Sequence, residues 1–147
     1  MSEWVADFYV EGHPRPQGSM THIGRGRLIH KPTLIAWRET IYAAVAEWAG
    51  QYGDAWEPLT GPVEVDLHFY LPQAKSNRDH MPTGSRSGDC DKHARSALDG
   101  ISLGDPRLIL DDSQVVRLRA QKGWAHGMPG EDGHSPGMRI KLRRIEQ

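Results

Sequence analysis

Two pairs of aspartates have the residue type and spacing to support chemistry. Asp89 and Asp91 flank Cys90, and Asp111 and Asp112 are adjacent further along the chain. Residues two apart in an extended backbone point to the same side, so the carboxylates of Asp89 and Asp91 can converge where a loop leads into a helix. Adjacent aspartates repel each other and fit poorly at the start of a strand. A divalent cation bound by oxygen ligands would offset that repulsion.

The two pairs are separated by one predicted helix, and up-and-back connectivity can bring them together at its N-terminal end. Together they would form an oxygen ligand set for Mg²⁺ or Mn²⁺, the set used in metal-assisted phosphoryl transfer. An alternative for Asp91 is a purely structural role as a helix N-cap. The sequence alone leaves both interpretations open.

Basic residues beside the first pair could stabilise negative charge that builds on a phosphate. Lys92 and Arg95 are the candidates for this role. The alternative for Arg95 is an ordinary surface ion pair with Asp91 or Asp99 on one helix face. His93 is expected at a surface position of the same helix, and nothing near Cys90 supports a role for it as a nucleophile.

The elements that must position these residues follow from hydrophobic spacing. The order β-α-β-α-β-β predicts an α+β fold, with a mixed sheet of about four strands and two main helices on one face. The predicted elements are a strand at 3–10, a helix from about Pro32 to Gly50, a strand at 63–71, a helix from about Asp91 to Gly104, and strands around 116–120 and 138–143. Two stretches are predicted to be loops or irregular segments: 12–31, which is rich in Gly, Pro and Arg and has no hydrophobic period, and 72–88, which is rich in Gly, Pro, Ser and Asn.

Composition limits the possible classes of protein. A chain of 147 residues fits one domain, 1–147, and no apolar run reaches the length that crosses a bilayer. The single cysteine excludes an intramolecular disulfide and fits a reducing cytoplasm. Zinc-binding, Walker A and nucleophile-elbow motifs are absent from the sequence.

The net charge of −1 conceals a strong segregation of charge. Acidic residues dominate 39–74, whereas basic residues dominate a Gly- and Pro-rich arm and the C-terminal part. Discounting the four aspartates of a metal site changes the net charge to +3, so a nucleic-acid substrate is compatible with the composition. The candidate DNA-binding residues are Arg15, Arg25, Arg27, Lys31, Arg117 and Arg119.

Two motifs resemble those of the RusA-type Holliday junction resolvases of phages and prophages. They are DCDKHARSALDGI, from Asp89 to Ile101, and ILDDSQVV, from Ile109 to Val116. The arm sequence GRGRLIHKPTLIAWRETI is similar to the basic segment that leads into the first helix of that family. The resemblance implies that Asp89, Asp91 and Asp112 are metal-binding carboxylates, with Asp111 as a weaker candidate.

The resemblance also implies a homodimer that nicks two symmetry-related strands of a four-way junction with Mg²⁺ or Mn²⁺. Natural candidates for the dimer interface are the arm at 12–31 and the helix at 33–49. Arg95 stands where the family usually has a catalytically important lysine, and Lys92 replaces the usual asparagine. Arginine keeps the charge but does not release a proton, so an electrostatic role remains.

Two other functions stay open from the sequence. One is a branched-DNA-binding protein without nuclease activity, in which the substitutions at Lys92 and Arg95 mark an inactive site. The other is a nucleotide-sugar transferase that uses Asp89 and Asp91 to hold a metal–diphosphate. A chain of this length leaves little room for the nucleotide-binding domain of such a transferase.

Overall fold

The centre of the protein is a four-stranded mixed sheet, in which neighbouring strands follow the order Ala6–Glu11, Gly137–Arg144, Val63–Leu71 and Val115–Trp124. The structure is a computed structural model that describes residues 3–18, 21–22, 28–29 and 31–146. Its strands and helices are β1 (Ala6–Glu11), β2 (Thr21–His22), β3 (Leu28–Ile29), α1 (Pro32–Ala49), β4 (Val63–Leu71), α2 (Cys90–Ser102), β5 (Val115–Trp124) and β6 (Gly137–Arg144).

Strand β4 is central, and its sequence alternates apolar and polar residues along its whole length. The side chains of Val63, Val65, Leu67, Phe69 and Leu71 are buried, and those between them are partly exposed. β4 pairs antiparallel with β6 and parallel with β5. A parallel pair of neighbouring strands needs a crossover connection. Here that connection contains α2, which returns the chain from the end of β4 to the start of β5.

Both helices pack on one face of the sheet and share its hydrophobic core. Helix α1 begins at Pro32, where the missing amide hydrogen of proline costs no helical hydrogen bond. The guanidinium group of Arg38 on α1 donates to Gln17 and to Asp99 on α2, both at 2.7 Å. The two helices approach closely at Gly100, where an added Cβ atom would lie 2.6 Å from Cγ2 of Ile41.

An aromatic cluster closes the C-terminal end of α1. Trp48 stacks on Phe8 with ring centroids 5.7 Å apart, and Trp56 meets Trp48 edge to face at 4.9 Å. Tyr52 lies against both indole rings. Aromatic pairs in these geometries contribute about 0.5–1.5 kcal/mol beyond their buried area.

The outer face of the sheet carries ion pairs instead of helices. Glu64 on β4 accepts a short hydrogen bond from Arg143 on β6 and lies 3.5 Å from Arg117 on β5. These guanidinium groups lower the pKa of the Glu64 carboxyl, with the Arg143 hydrogen bond as the main cause. Arg139 on β6 likewise binds Asp7 and Asp132, each at 2.8 Å.

The predicted α+β fold, element order and one-sided helix layer are confirmed. Two details differ. The arm predicted as irregular contains the two-residue strands β2 and β3, which pair with each other, and the first strand is shifted to Ala6–Glu11. Within the described ranges, neither helix is long and apolar enough to cross a membrane.

Candidate functional site

Asp89 and Asp91 lie at the N-terminal end of α2. Asp89 occupies the N-cap position in extended backbone geometry, yet its side chain makes no capping hydrogen bond. Asp91 is in the first helical turn, and both side chains are exposed. A carboxylate near a helix N-terminus is favoured by the helix dipole. Because Asp89 does not use its carboxylate as a cap, that group remains available at the protein surface.

The turn before Asp89 is fixed by a lysine from the neighbouring strand. The ammonium group of Lys122 on β5 donates to the hydroxyl oxygen of Ser87 at 2.8 Å and to the carbonyl oxygen of Gly88 at 2.7 Å. Gly88 has a φ of +81°, and an added Cβ there would lie 2.6 Å from Cγ of Pro16. This position therefore requires glycine for both conformation and space.

His93 is not on the surface, so the prediction for this residue was wrong. Its side chain is fully buried, and Nε2 lies 2.7 Å from the carbonyl oxygen of Ser87. Asp91 and Lys92 lie on the exposed side of this helical turn, whereas His93 lies on its buried side beneath residues 85–88. There the ring of His93 packs against Phe69. Burial lowers the pKa of His93 and favours the neutral ring.

Cys90 is part of the helix start and does not resemble a reactive thiol. Burial raises the pKa of its thiol group, whereas a nucleophilic cysteine needs a lowered pKa.

Asp111 has a structural role that the sequence did not show. Its carboxylate accepts a hydrogen bond from the amide of Ser113 at 2.8 Å, and Gln114 completes a capping box for a short 3₁₀ turn over Asp112–Gln114. The backbone hydrogen bond from Ser113 is the main cause that lowers the pKa of Asp111. Asp112, the first residue of this turn, is exposed. The carboxylate of Asp111 therefore has a structural role as the N-cap of this turn, and its use as a metal ligand stays a prediction.

The two aspartate pairs lie at opposite ends of α2 within one chain. Asp89 is beside the end of β5, because Lys122 holds Gly88, whereas Asp112 directly precedes the start of β5. A helix of 13 residues is about 20 Å long. The expected meeting of the pairs at the N-terminal end of α2 does not occur in one chain. Among the described residues, no three His, Cys, Asp or Glu side chains are placed to hold a metal ion.

Three cations line a cavity of about 210 Å³ near the start of α1, namely Arg15, Lys31 and Arg86. The segment that carries Arg15 runs along α2, because the Arg15 carbonyl accepts from Ser96 and the Gln17 amide donates to the Lys92 carbonyl. This places a basic surface beside the helix turns that follow Asp89. A basic cavity of this kind can bind phosphate.

The other candidate basic residues are distributed over separate regions. Arg117 and Arg119 are exposed on the outer face of the sheet, away from the helix layer. Arg95 and Lys92 are exposed on α2, with the ammonium group of Lys92 3.6 Å from the Asp89 carboxylate. Arg25 and Arg27 lie outside the described residues.

Comparison with known proteins identifies the family. The model of the family described as endodeoxyribonuclease RusA matches residues 11–142. The chain belongs to the RusA family. The matched range includes both aspartate pairs, the basic arm and all main elements from α1 to β5, together with Glu11 of β1 and residues 137–142 of β6. The comparison with curated proteins gave no match. RusA membership favours DNA hydrolysis over the transfer of nucleotide sugars.

The divalent cation that the RusA family resemblance implies needs oxygen ligands, and Asp89, Asp91 and Asp112 carry them. The exposure of all three carboxylates and the absence of a cap bond at Asp89 fit this use. Within one chain these ligands lie in two separate places. Asp89 and Asp91 are together at the start of α2, and Asp112 is by itself before β5.

Two basic residues near the candidate site, Lys122 and Arg86, were not predicted from the sequence. Lys122 stands on the helix side of β5, in a row with Leu118, Ala120 and Trp124, and a charged residue in such a row is a detectable signal. Arg86 lies in a loop without hydrophobic periodicity, and its place beside Arg15 follows only from the folded structure.

Proposed function

We propose that this protein is a metal-dependent endonuclease that cuts four-way DNA junctions. The observation that carries the proposal is the availability of the Asp89 carboxylate at the start of α2, inside the segment that matches the RusA family. Asp89, Asp91 and Asp112 would hold Mg²⁺ or Mn²⁺. When bound, the cation would supply Lewis-acid polarisation of the scissile phosphodiester.

The remaining tasks belong to side chains of the chain itself. Arg15, Lys31 and Arg86 bind the DNA backbone next to the cleavage site, because their shared cavity presents three positive charges. Arg95, one helical turn after Asp91, adds positive charge where the transition state is negative. Such contacts to phosphates carry no base sequence, which fits recognition of junction shape.

Lys122 acts as a positioning residue for Asp89. Its two hydrogen bonds fix the backbone immediately before the carboxylate. A helix N-terminus held in this way keeps the position of Asp89 constant between binding and cleavage.

The protein is further proposed to act as a homodimer on branched DNA in the cytoplasm, in recombination, repair or phage DNA processing. A two-fold symmetric dimer presents two equivalent sites to a junction with two-fold symmetry. Paired nicking of opposite strands would follow from that arrangement.

A second candidate is a branched-DNA-binding protein that does not cleave. The observation in its favour is that no three ligating side chains come together within the described part of one chain. Its basic cavity would then bind junctions without subsequent hydrolysis.

A nicking assay on a synthetic four-way junction with Mg²⁺ separates the two candidates. We expect the wild type to cleave, D89N to bind the junction with unchanged affinity and not to cleave, and D54N to behave as the wild type. Asp54 is an exposed aspartate in the 3₁₀ turn after α1, so D54N makes the same change of charge away from α2. Cleavage by D89N at the wild-type rate would refute the proposed site. Junction binding by the wild type without cleavage would favour the second candidate.

A further inference from the structure

A cavity of about 440 Å³ lies at the end of β5, between the outer face of the sheet and the segments at 80–81 and 126–132. A second cavity of about 220 Å³ adjoins it on the outer face, and His68, Tyr70 and Gln121 line both. The larger cavity is within the range of about 300–1,000 Å³ in which proteins bind small organic groups. The three shared residues belong neither to the basic cavity nor to the aspartate pairs.

A glycine in β5 keeps this space open. Gly123 pairs with Tyr70 of β4, so the two residues share the outer face of the sheet, and the register is regular at this position. Glycine weakens a paired strand, and where no bulge explains it, it marks a place that a ligand or another backbone approaches closely. Among the described atoms, an added Cβ would come within 4 Å of Nε2 of His68 alone, at 3.8 Å. The fold therefore has room for a side chain that the sequence omits.

Aromatic rings line the cavity. His68 stacks on Tyr70, with ring centroids 4.1 Å apart and ring planes 11° from parallel. The indole ring of Trp124 is fixed by a hydrogen bond of 2.9 Å from its Nε1 to the carbonyl oxygen of Asp79. Burial lowers the pKa of His68, which favours the neutral ring. Flat aromatic side chains of this kind bind nucleobases by stacking, whichever base is present.

The polar groups around the cavity suit an uncharged ligand better than a phosphate. Arg139 is already paired with Asp7 and Asp132, each at 2.8 Å. The side-chain amide of Gln121, in contrast, makes no hydrogen bond to any other described residue. An amide offers both donors and an acceptor, which the edge of a nucleobase can use. Paired charges and a free amide beside aromatic rings are therefore features of a site for a base.

The cavity is one lysine side chain away from Asp89. Lys122 lines the cavity, and its ammonium group donates to the carbonyl oxygen of Gly88 at 2.7 Å. Gly88 directly precedes Asp89 in the chain. When a phosphate of the DNA lies at Asp89, a base next to that phosphate is within reach of the cavity.

We propose that this cavity binds the base of one unpaired nucleotide next to the phosphate at Asp89. The proposal rests on the proposed function, because it names the part of the DNA that meets the protein beside the cleavage site. A base inside a continuous duplex has to leave its stack to enter, whereas a base that is already unpaired enters at a lower cost. Capture of a base therefore selects branch points, where stacking is interrupted, over continuous duplex.

Binding of a synthetic four-way junction by D89N tests the proposal without cleavage. A single abasic site is moved through the nucleotides around the exchange point, so that one base at a time is missing. We expect one position at which the missing base weakens binding by about 5- to 100-fold, the range for the loss of one base stacked on aromatic side chains. The absence of any such position would overturn the proposal.

A variant that fills the cavity shows whether the sensitive base lies there. In D89N/G123L the leucine side chain occupies the space beside His68, so the intact junction should bind more weakly and the abasic site should cause no further loss. The matched control D89N/G50L adds the same side chain at Gly50, which has no atom near its Cβ position, and should behave as D89N. Equal losses from the abasic site in D89N and in D89N/G123L would contradict the assignment.

Photocrosslinking locates the base without any substitution in the cavity. 5-Iodouracil replaces the base at the sensitive position, and mass spectrometry identifies the residue that is crosslinked in D89N. We expect His68, Tyr70 or Trp124, and a crosslink elsewhere, or none, would count against the proposal. Saturation by micromolar dAMP in a calorimetric titration would identify a free nucleotide as the ligand and would overturn the assignment to a DNA strand.

These outcomes are distinct from those that test the nuclease. An abasic effect that G123L abolishes, in a protein whose wild type never nicks junctions, would retain the base site and refute the nuclease function. Nicking by the wild type without any abasic effect would retain the nuclease and refute the base site. Failure of D89N and of the wild type to bind junctions would refute both.

Discussion

The contact between Gly100 and Ile41 provides a quantitative test of how α2 is placed. Gly100 is buried in the last turn of α2, and an added Cβ would lie 2.6 Å from Cγ2 and 2.9 Å from both Cβ and Cδ1 of Ile41. Ile41 is itself fully buried on α1. Because isoleucine is branched at Cβ and stiff at χ1, it has no free rotamer with which to avoid the new methyl group.

Two opposing effects determine the stability of G100A. Replacing a glycine by alanine inside a helix stabilises the helix by about 1 kcal/mol, which is an upper bound for a position in the last turn such as Gly100. Overpacking a close contact costs about 1–3 kcal/mol. All three distances from the added Cβ to Ile41 are below 3.0 Å, so we expect the cost of overpacking to exceed the gain in helix propensity. The free energy of unfolding should fall by about 1 kcal/mol as a result. For a protein of this size, the midpoint temperature of thermal unfolding would fall by about 2–4 °C.

Urea denaturation followed by circular dichroism measures the effect, with G50A as the matched control. Gly50 follows α1 at a φ of −58° and has no atom near its Cβ position, so G50A should be neutral or stabilising. In a double-mutant cycle, I41A should cost less in the G100A background than in the wild type, because the smaller side chain relieves the contact. A gain of stability in G100A equal to that of G50A would refute the packing argument.

Three further predictions concern the site and the outer face. K122M should lower junction cleavage and reduce the free energy of unfolding by about 1–3 kcal/mol, because two charged hydrogen bonds to the 87–88 turn are lost. The control K75M, at an exposed loop position, should change neither cleavage nor stability. G88A should also be destabilised, by about 1–3 kcal/mol, because its φ of +81° disfavours alanine and Pro16 blocks the added methyl group; an unchanged melting temperature would contradict this. E64Q should lose about 1–3 kcal/mol at pH 7, because Arg143 loses its carboxylate partner. Folding lowers the pKa of Glu64 from 4.5, so the ionised carboxylate contributes its full share to the free energy of unfolding above pH 4.5. That contribution is lost as the pH falls through the pKa of Glu64 in the folded protein. The denaturation curves of E64Q and of the wild type should therefore converge in acid.

The sequence predicts the elements well where one face of an element is buried. The alternation of 63–71 and the helical spacing of Leu34, Trp37, Ile41 and Val45 correspond to side chains that the structure buries. These patterns are reliable because burial on one side forces a period on the chain. The site residues themselves come from motif resemblance, and their roles stay predictions.

The arrangement of the aspartate pairs was harder to predict because it depends on strand direction. A helix that connects two neighbouring parallel strands runs opposite to both, so its start and the start of the next strand lie at opposite ends. The spacing of Asp91 and Asp112 along the chain does not contain this information. Roles of Asp111 and His93 likewise depend on contacts with Ser113 and Ser87 that local sequence patterns do not specify.

The aromatic cluster at the end of α1 gives the protein a built-in optical reporter. Two indole rings held edge to face at 4.9 Å couple their electronic transitions, so the folded protein should have a distinctive near-ultraviolet circular dichroism signal. Its members belong to β1, the last turn of α1 and the segment after it, and none is adjacent to the aspartates in the sequence. The spectrum can therefore verify the tertiary structure of the variants at Asp89, Gly88 and Lys122, which lie outside the cluster, while the metal and DNA chemistry is altered.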